Sequence, residues 1–165
     1  MGYTAVPWLG FGGALAAIAG ALTGLLFVAV SVKSDVLAAS RSLRSRAAQT
    51  LVLFMISVLT GLFLVAPQPP VALGSELLAL AAISGVVLLI LDRRAGRGSA
   101  QAVVRYFDRF SPNLITTVLV GVTGLTFILK AGGGLYWLIP VVVASLVGGV
   151  VNAWLFLVKV TSKSD

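Results

Sequence analysis

Residues 8–32 read WLGFGGALAAIAGALTGLLFVAVSV, 25 positions without one charged side chain. A helix at the surface of a soluble domain keeps a polar face toward water. This stretch has none, and it exceeds the roughly 20 apolar residues that a helix needs to cross a bilayer. Four further stretches resemble it: about 50–66, which is short, then 71–91, 113–129 and 135–158. None carries a charge near its middle. The rest of the composition agrees, with 59% hydrophobic residues, 10% charged residues and a mean hydropathy of +1.08. A soluble domain is nearer 45–50% apolar and about 25% charged.

The breaks between these stretches carry their own chemistry. Pro67, Pro69 and Pro70 end the second, because proline cannot donate to a helix ladder and biases its predecessor away from helix. Ser111 followed by Pro112 has the form of an N-cap and first helical residue, which starts the fourth. Gly132, Gly133 and Gly134 make a tight connection between the fourth and fifth. The chain thus reads as a single all-α domain over 1–165, a polytopic transmembrane helix bundle of five spans.

Charge gives the expected orientation. Lys33, Arg41, Arg44 and Arg46 lie between the first and second spans. Arg93, Arg94, Arg97, Arg105 and Arg109 lie between the third and fourth, and Lys159 and Lys163 follow the fifth. Only Lys130 falls on the opposite side. Basic residues concentrate on the cytoplasmic face of membrane proteins, so the N-terminus is expected outside and the C-terminus inside. The head of the chain has no basic region of the kind that precedes a cleaved signal sequence, so the first span is expected to be retained. The net charge of +7 is then explained by orientation and by anionic lipid contacts on the cytoplasmic side, and nucleic acid is not an expected partner. Trp8, Tyr136 and Trp137 near one interface, with Tyr106, Phe107, Trp154 and Phe156 near the other, form an aromatic belt.

The counts exclude much chemistry. There is no Cys and no His, and the five acids (Asp35, Glu76, Asp92, Asp108 and Asp165) are scattered. No catalytic, cofactor or metal site is expected from such a set. Proton- or sodium-coupled transport commonly uses a carboxylate inside the membrane, which this chain lacks. Its odd number of spans also does not divide into two repeats.

Several positions nevertheless stand out. Gly12, Ala16, Gly20 and Gly24 follow one another at steps of four, as a small-residue face for helix packing, within the chain or between protomers. In the fourth span Asn113, Thr116, Thr123, Thr126 and Lys130 share a band with Leu119, Val120 and Phe127. That band is either the wall of a polar path or ordinary packing with threonines bonded to their own helix. In the fifth span Ser145, Asn152 and Lys159 recur at steps of seven, with Gly148 and Gly149 on the same side. Asn152 is the most polar side chain well inside a span. Residues 100–110 form an expected interfacial amphipathic helix, with Val103, Phe107 and Phe110 on one face as a docking surface or a membrane-parallel linker.

Three stretches together carry a resemblance: Gly20 to Val32, Arg46 to Leu53, and Gly132 to Leu138 with Val151 to Trp154. They resemble a group of small bacterial integral membrane proteins, some of which bear the designation modulator of FtsH protease. The resemblance implies the bacterial cytoplasmic membrane and draws attention to Asn152 and the triple-glycine turn. It implies no mechanism. The expected function is that of a non-enzymatic, self-associating subunit or modulator of a membrane assembly. The alternative is a homo-oligomeric passive ion channel, with anions favoured over cations; a transporter is third.

Overall fold

A computed structural model describes residues 2–32, 34, 41–95 and 112–161, and all regular elements among them are helical. A 3-10 turn at Val6–Trp8 leads into α1, Leu9–Val32. Then come α2, Arg41–Val65, and α3, Pro70–Ala95. Next is α4, Pro112–Leu129, and a second 3-10 turn, Gly134–Trp137, opens α5, Leu138–Thr161. Four apolar stretches are long enough to cross a membrane: Val6–Val32, Leu43–Val65, Pro70–Leu91 and Gly134–Trp154. Asn113–Leu129 is a shorter apolar helix. The architecture is therefore all-helical and fits a membrane-embedded protein.

The second helix begins earlier than the apolar run from residue 50 suggested. Its first two turns carry Arg44 and Arg46 among Leu43, Ala47 and Ala48, so the helix continues past the hydrophobic stretch. Arginine is a good helix former and extends its charge away from an apolar surface, so charge there ends the apolar pattern without ending the helix. At the other end Gln68 closes the α2–α3 turn. Its side-chain amide donates to the Phe63 carbonyl at 2.8 Å and to Glu76 Oε2 at 2.9 Å. Pro70 starts α3 at the position where a missing N–H costs nothing.

Helices α2, α3, α4 and α5 pack in a ring, each against the next, and α1 lies outside it against α2. Two glycine contacts set the spacing. A Cβ placed on Gly61 of α2 would lie 2.8 Å from the Ala16 nitrogen and 2.9 Å from Ala16 Cβ. One placed on Gly124 of α4 would lie 2.8 Å from the Gly74 carbonyl oxygen of α3. Backbones this close gain van der Waals contact that larger residues would forbid.

One end of the bundle is tied by the N-terminal residues. Helix α4 ends with Lys130 in the left-handed region (φ 51°), where its N–H reaches the Phe127 carbonyl and the Ala131 N–H reaches that of Thr126. This is a Schellman ending, usually made by glycine. Gly132, Gly133 and Gly134 also have positive φ. That path lets the Leu135 N–H donate to the Gly2 carbonyl at 2.8 Å and the Gly133 N–H donate to the Tyr3 hydroxyl at 3.1 Å. A Cβ on Gly134 would meet the Tyr3 ring at 2.8 Å. Trp8 packs edge-on against Tyr136 and Phe11, with centroids 5.3 and 5.5 Å away. The first helix is thereby fastened to the α4–α5 turn, although it packs mainly on α2.

The glycine contacts predict a contrast. Gly61→Val is expected to lower stability by about 1–3 kcal/mol through overpacking. Gly13→Ala, at a position with open space around a built Cβ, is expected to leave stability unchanged or raise it by up to about 1 kcal/mol. Thermal unfolding in detergent, followed by helical circular dichroism, measures both.

Candidate functional site

The buried polar groups of the ring come from all four of its helices, Ser84 being the contribution of α3. On α4 the buried face runs Asn113, Thr116, Val120, Thr123, Phe127, at steps of three and four. Ser57 and Thr60 of α2 are buried one turn apart, and Ser145 of α5 is buried as well. The Ser57 and Ser145 hydroxyls lie 2.7 Å apart. Ser145 also donates to the Val142 carbonyl at 3.2 Å, which leaves the Ser57 hydroxyl to donate to Ser145. This pair joins α2 to α5 in the way polar side chains commonly link helices in an apolar medium.

The remaining polar side chains divide into two groups. Thr123 donates to the Leu119 carbonyl at 2.8 Å and Thr126 to that of Val122 at 2.7 Å. Thr117 and Ser84 bond their own helices in the same way. These groups are satisfied locally and need nothing else. In contrast, Thr60 Oγ1, Thr116 Oγ1 and Asn113 Oδ1 are buried with no hydrogen-bond partner among the described residues. Thr116 is 0% and Asn113 4% exposed. An unmet buried polar atom costs about 1–3 kcal/mol, so three of them in one interior are a considerable burden. Asn113 and Thr116 stand one turn apart near the start of α4, while Thr60 is near the end of α2. Val120, Phe127, Ile56, Leu64 and Leu77, all nearly fully buried, fill much of the core.

The expected site residues are thus distributed over several surroundings. Thr116, Thr123 and Ser145 face the interior, Thr126 is half-buried, and Lys130 is exposed beyond the end of α4. Asn152 is half-buried on α5, and Gly148 and Gly149 are buried, with Phe54 of α2 against Gly149. The row of small residues on α1 is divided. Gly12 and Ala16 meet α2 around Gly61, whereas Gly20 and Gly24 are exposed with no atom near a built Cβ. Steps of four residues advance about 40° beyond a full turn, so three steps wind the row about 120° around the helix. Val103, Phe107 and Phe110 lie outside the described residues.

Thr60 was not singled out from the sequence, nor was the Ser57–Ser145 bond. Ser57, Thr60 and Gly61 follow one another in α2 at a spacing that puts a hydroxyl face beside a small-residue contact, and that spacing was the available signal. No family model matches the chain, and no curated protein or solved structure matches it.

The unpartnered oxygens predict the effect of isosteric replacement. Thr116→Val and Thr60→Val are expected to raise unfolding stability by about 1–3 kcal/mol each, because each removes an unmet group without changing shape. Ser145→Ala is expected to lower it by about 0.5–1.5 kcal/mol. Loss of stability in Thr116→Val, in the same melting assay, would instead mean that ordered water fills the interior.

Proposed function

We propose that this chain is a non-enzymatic protein of the bacterial cytoplasmic membrane that acts as a self-associating subunit or modulator of a membrane assembly. It crosses five times, with the N-terminus outside and the C-terminus inside. The support for that orientation is charge. Arg44, Arg46 and Arg93 stand at one end of the α2–α3 pair, and Lys130 follows the opposite end of α4. The short α4 is accommodated by local thinning of the bilayer and by Lys130 reaching toward the head groups.

The observation that carries the reading is the state of α1. Over its most apolar stretch it is only 17% buried within the chain, against 50% for α2. Its buried residues Gly12, Leu15, Ala19 and Leu26 face the bundle. The opposite face presents Gly13, Ala17, Gly20 and Gly24, all exposed. Lipid can cover such a face, but small residues in series favour a second helix, whose backbone can approach as Gly61 approaches Ala16. The resemblance to small bacterial membrane proteins, some designated modulators of FtsH protease, is compatible with this role and names no partner for it.

Association through α1 is tested by the mass of the solubilised particle. Native mass spectrometry from nanodiscs is expected to show a species above the 17.0 kDa protomer. Gly20→Leu together with Gly24→Leu is expected to reduce it to the protomer while leaving helix content intact. A particle of 17.0 kDa for the unsubstituted chain contradicts the reading.

A second reading, a homo-oligomeric passive ion channel favouring anions, draws on the unpartnered Thr60, Thr116 and Asn113 oxygens. They are groups a hydrated path would satisfy. Conductance in a planar bilayer that Thr116→Val diminishes would favour it over simple association.

A further inference from the structure

The half of α1 that follows Ala19 leaves two hollows against the bundle, and they meet at Leu26. One, of about 180 Å³, lies between Leu26 and Val30 of α1 and Arg44 and Ala48 of α2. The other, of about 240 Å³, is bounded by Leu25, by Phe54 of α2 and by Ala153 of α5. Apart from Arg44, the walls are apolar. We propose that these hollows hold the acyl chain of an anionic phospholipid whose phosphate is bound by Arg44.

Three observations select this occupant. The first is length. From Arg44 to Phe54 is ten residues along α2, about 15 Å at the helical rise. That is half of a hydrocarbon core about 30 Å thick, the depth of one leaflet. The second is closure. Toward the other membrane face the gap is shut where Gly12 and Ala16 meet Gly61, so a helix crossing both leaflets has no continuous groove, whereas a lipid chain ends where the hollow ends. The third is charge. Arg44 is exposed at the end of the hollow and has no carboxylate partner among the described residues. Its planar guanidinium matches two phosphate oxygens at once, and a head group of net negative charge, with no cationic choline beside the phosphate to compete, is favoured over a zwitterionic one. The proposal rests on membrane embedding and not on the assembly role of α1, whose small-residue face is on the other side of the helix.

The test is lipid retention. The purified chain is equilibrated in detergent with phosphatidylglycerol or phosphatidylcholine of identical acyl chains, and bound lipid is counted by native mass spectrometry. One phosphatidylglycerol is expected to remain bound, about fivefold more strongly than phosphatidylcholine, as one interfacial arginine would provide. Arg44→Gln is expected to abolish the preference, while Arg93→Gln, an exposed arginine at the same end of the bundle, preserves it. Ala48→Phe, or Val30→Phe from the opposite wall, is expected to lower retention of both lipids by filling the hollow. Equal retention of the two lipids by the unsubstituted chain overturns the proposal. So does equal loss of preference in Arg44→Gln and Arg93→Gln, which would show diffuse attraction only. A dimer that expels lipid and is broken by Ala48→Phe would show that a second copy covers the hollow, and also overturns it.

Discussion

Close contact between helix backbones is the interaction on which the rest of this structure depends. Hydrocarbon outside and apolar side chains inside are nearly equivalent surroundings, so burial of leucine and valine gives little reason for one helix to choose another. Gly61 against Gly12 and Ala16, and Gly124 against Gly74, supply that reason through short-range contact. The first contact attaches α1 to α2 and the second joins α3 to α4. The central position of α2, which touches α1, α3 and α5, makes Gly61 one of the residues that the arrangement can least replace.

Backbone satisfaction explains the remaining features. A chain surrounded by lipid must meet its N–H and C=O groups within its own helices, and among the described residues irregular backbone is confined to the helix ends. There the structure uses specific devices: Gln68 across the proline turn, the Schellman ending at Lys130, and Gly2 and Tyr3 laced to the triple-glycine turn. Side-chain hydroxyls mostly return to their own helices. Ser57 instead bonds Ser145 across two helices, and the unpartnered oxygens of Thr60, Thr116 and Asn113 are the positions among the described residues that depart from this economy.

Much of this was legible in the sequence, and the parts that were not have physical causes. The apolar runs gave the helices and the prolines and glycines gave the turns, because both are local properties. The segment before residue 50, with Leu43 beside its arginines, can extend the second span as helix, and the start of α2 at Arg41 bears that out; the hydropathy pattern alone stops where arginines begin, although the helix does not. The row from Gly12 to Gly24 was visible, but its division between an inner and an outer face depends on the drift of a four-residue step. Thr116 and Thr123 fall on one buried stripe, yet only one bonds its own helix. That difference is set by rotamer and neighbours, which composition and spacing do not encode. Likewise Thr60 and Gly61 owe their importance to partners on other helices.

The central claim is that the outward face of α1 meets another protein in the membrane. The chain has no cysteine, so single cysteines can be placed along α1 without background. The decisive measurement is capture by a short maleimide-linked photoreactive group in native membranes, from Gly13→Cys, Ala17→Cys, Gly20→Cys and Gly24→Cys, with the inward Leu15→Cys and Ala19→Cys as references. The account predicts protein adducts of discrete mass that peak on the outward positions with helical periodicity. Adducts to lipid alone at all six positions, or capture without periodicity, would contradict it.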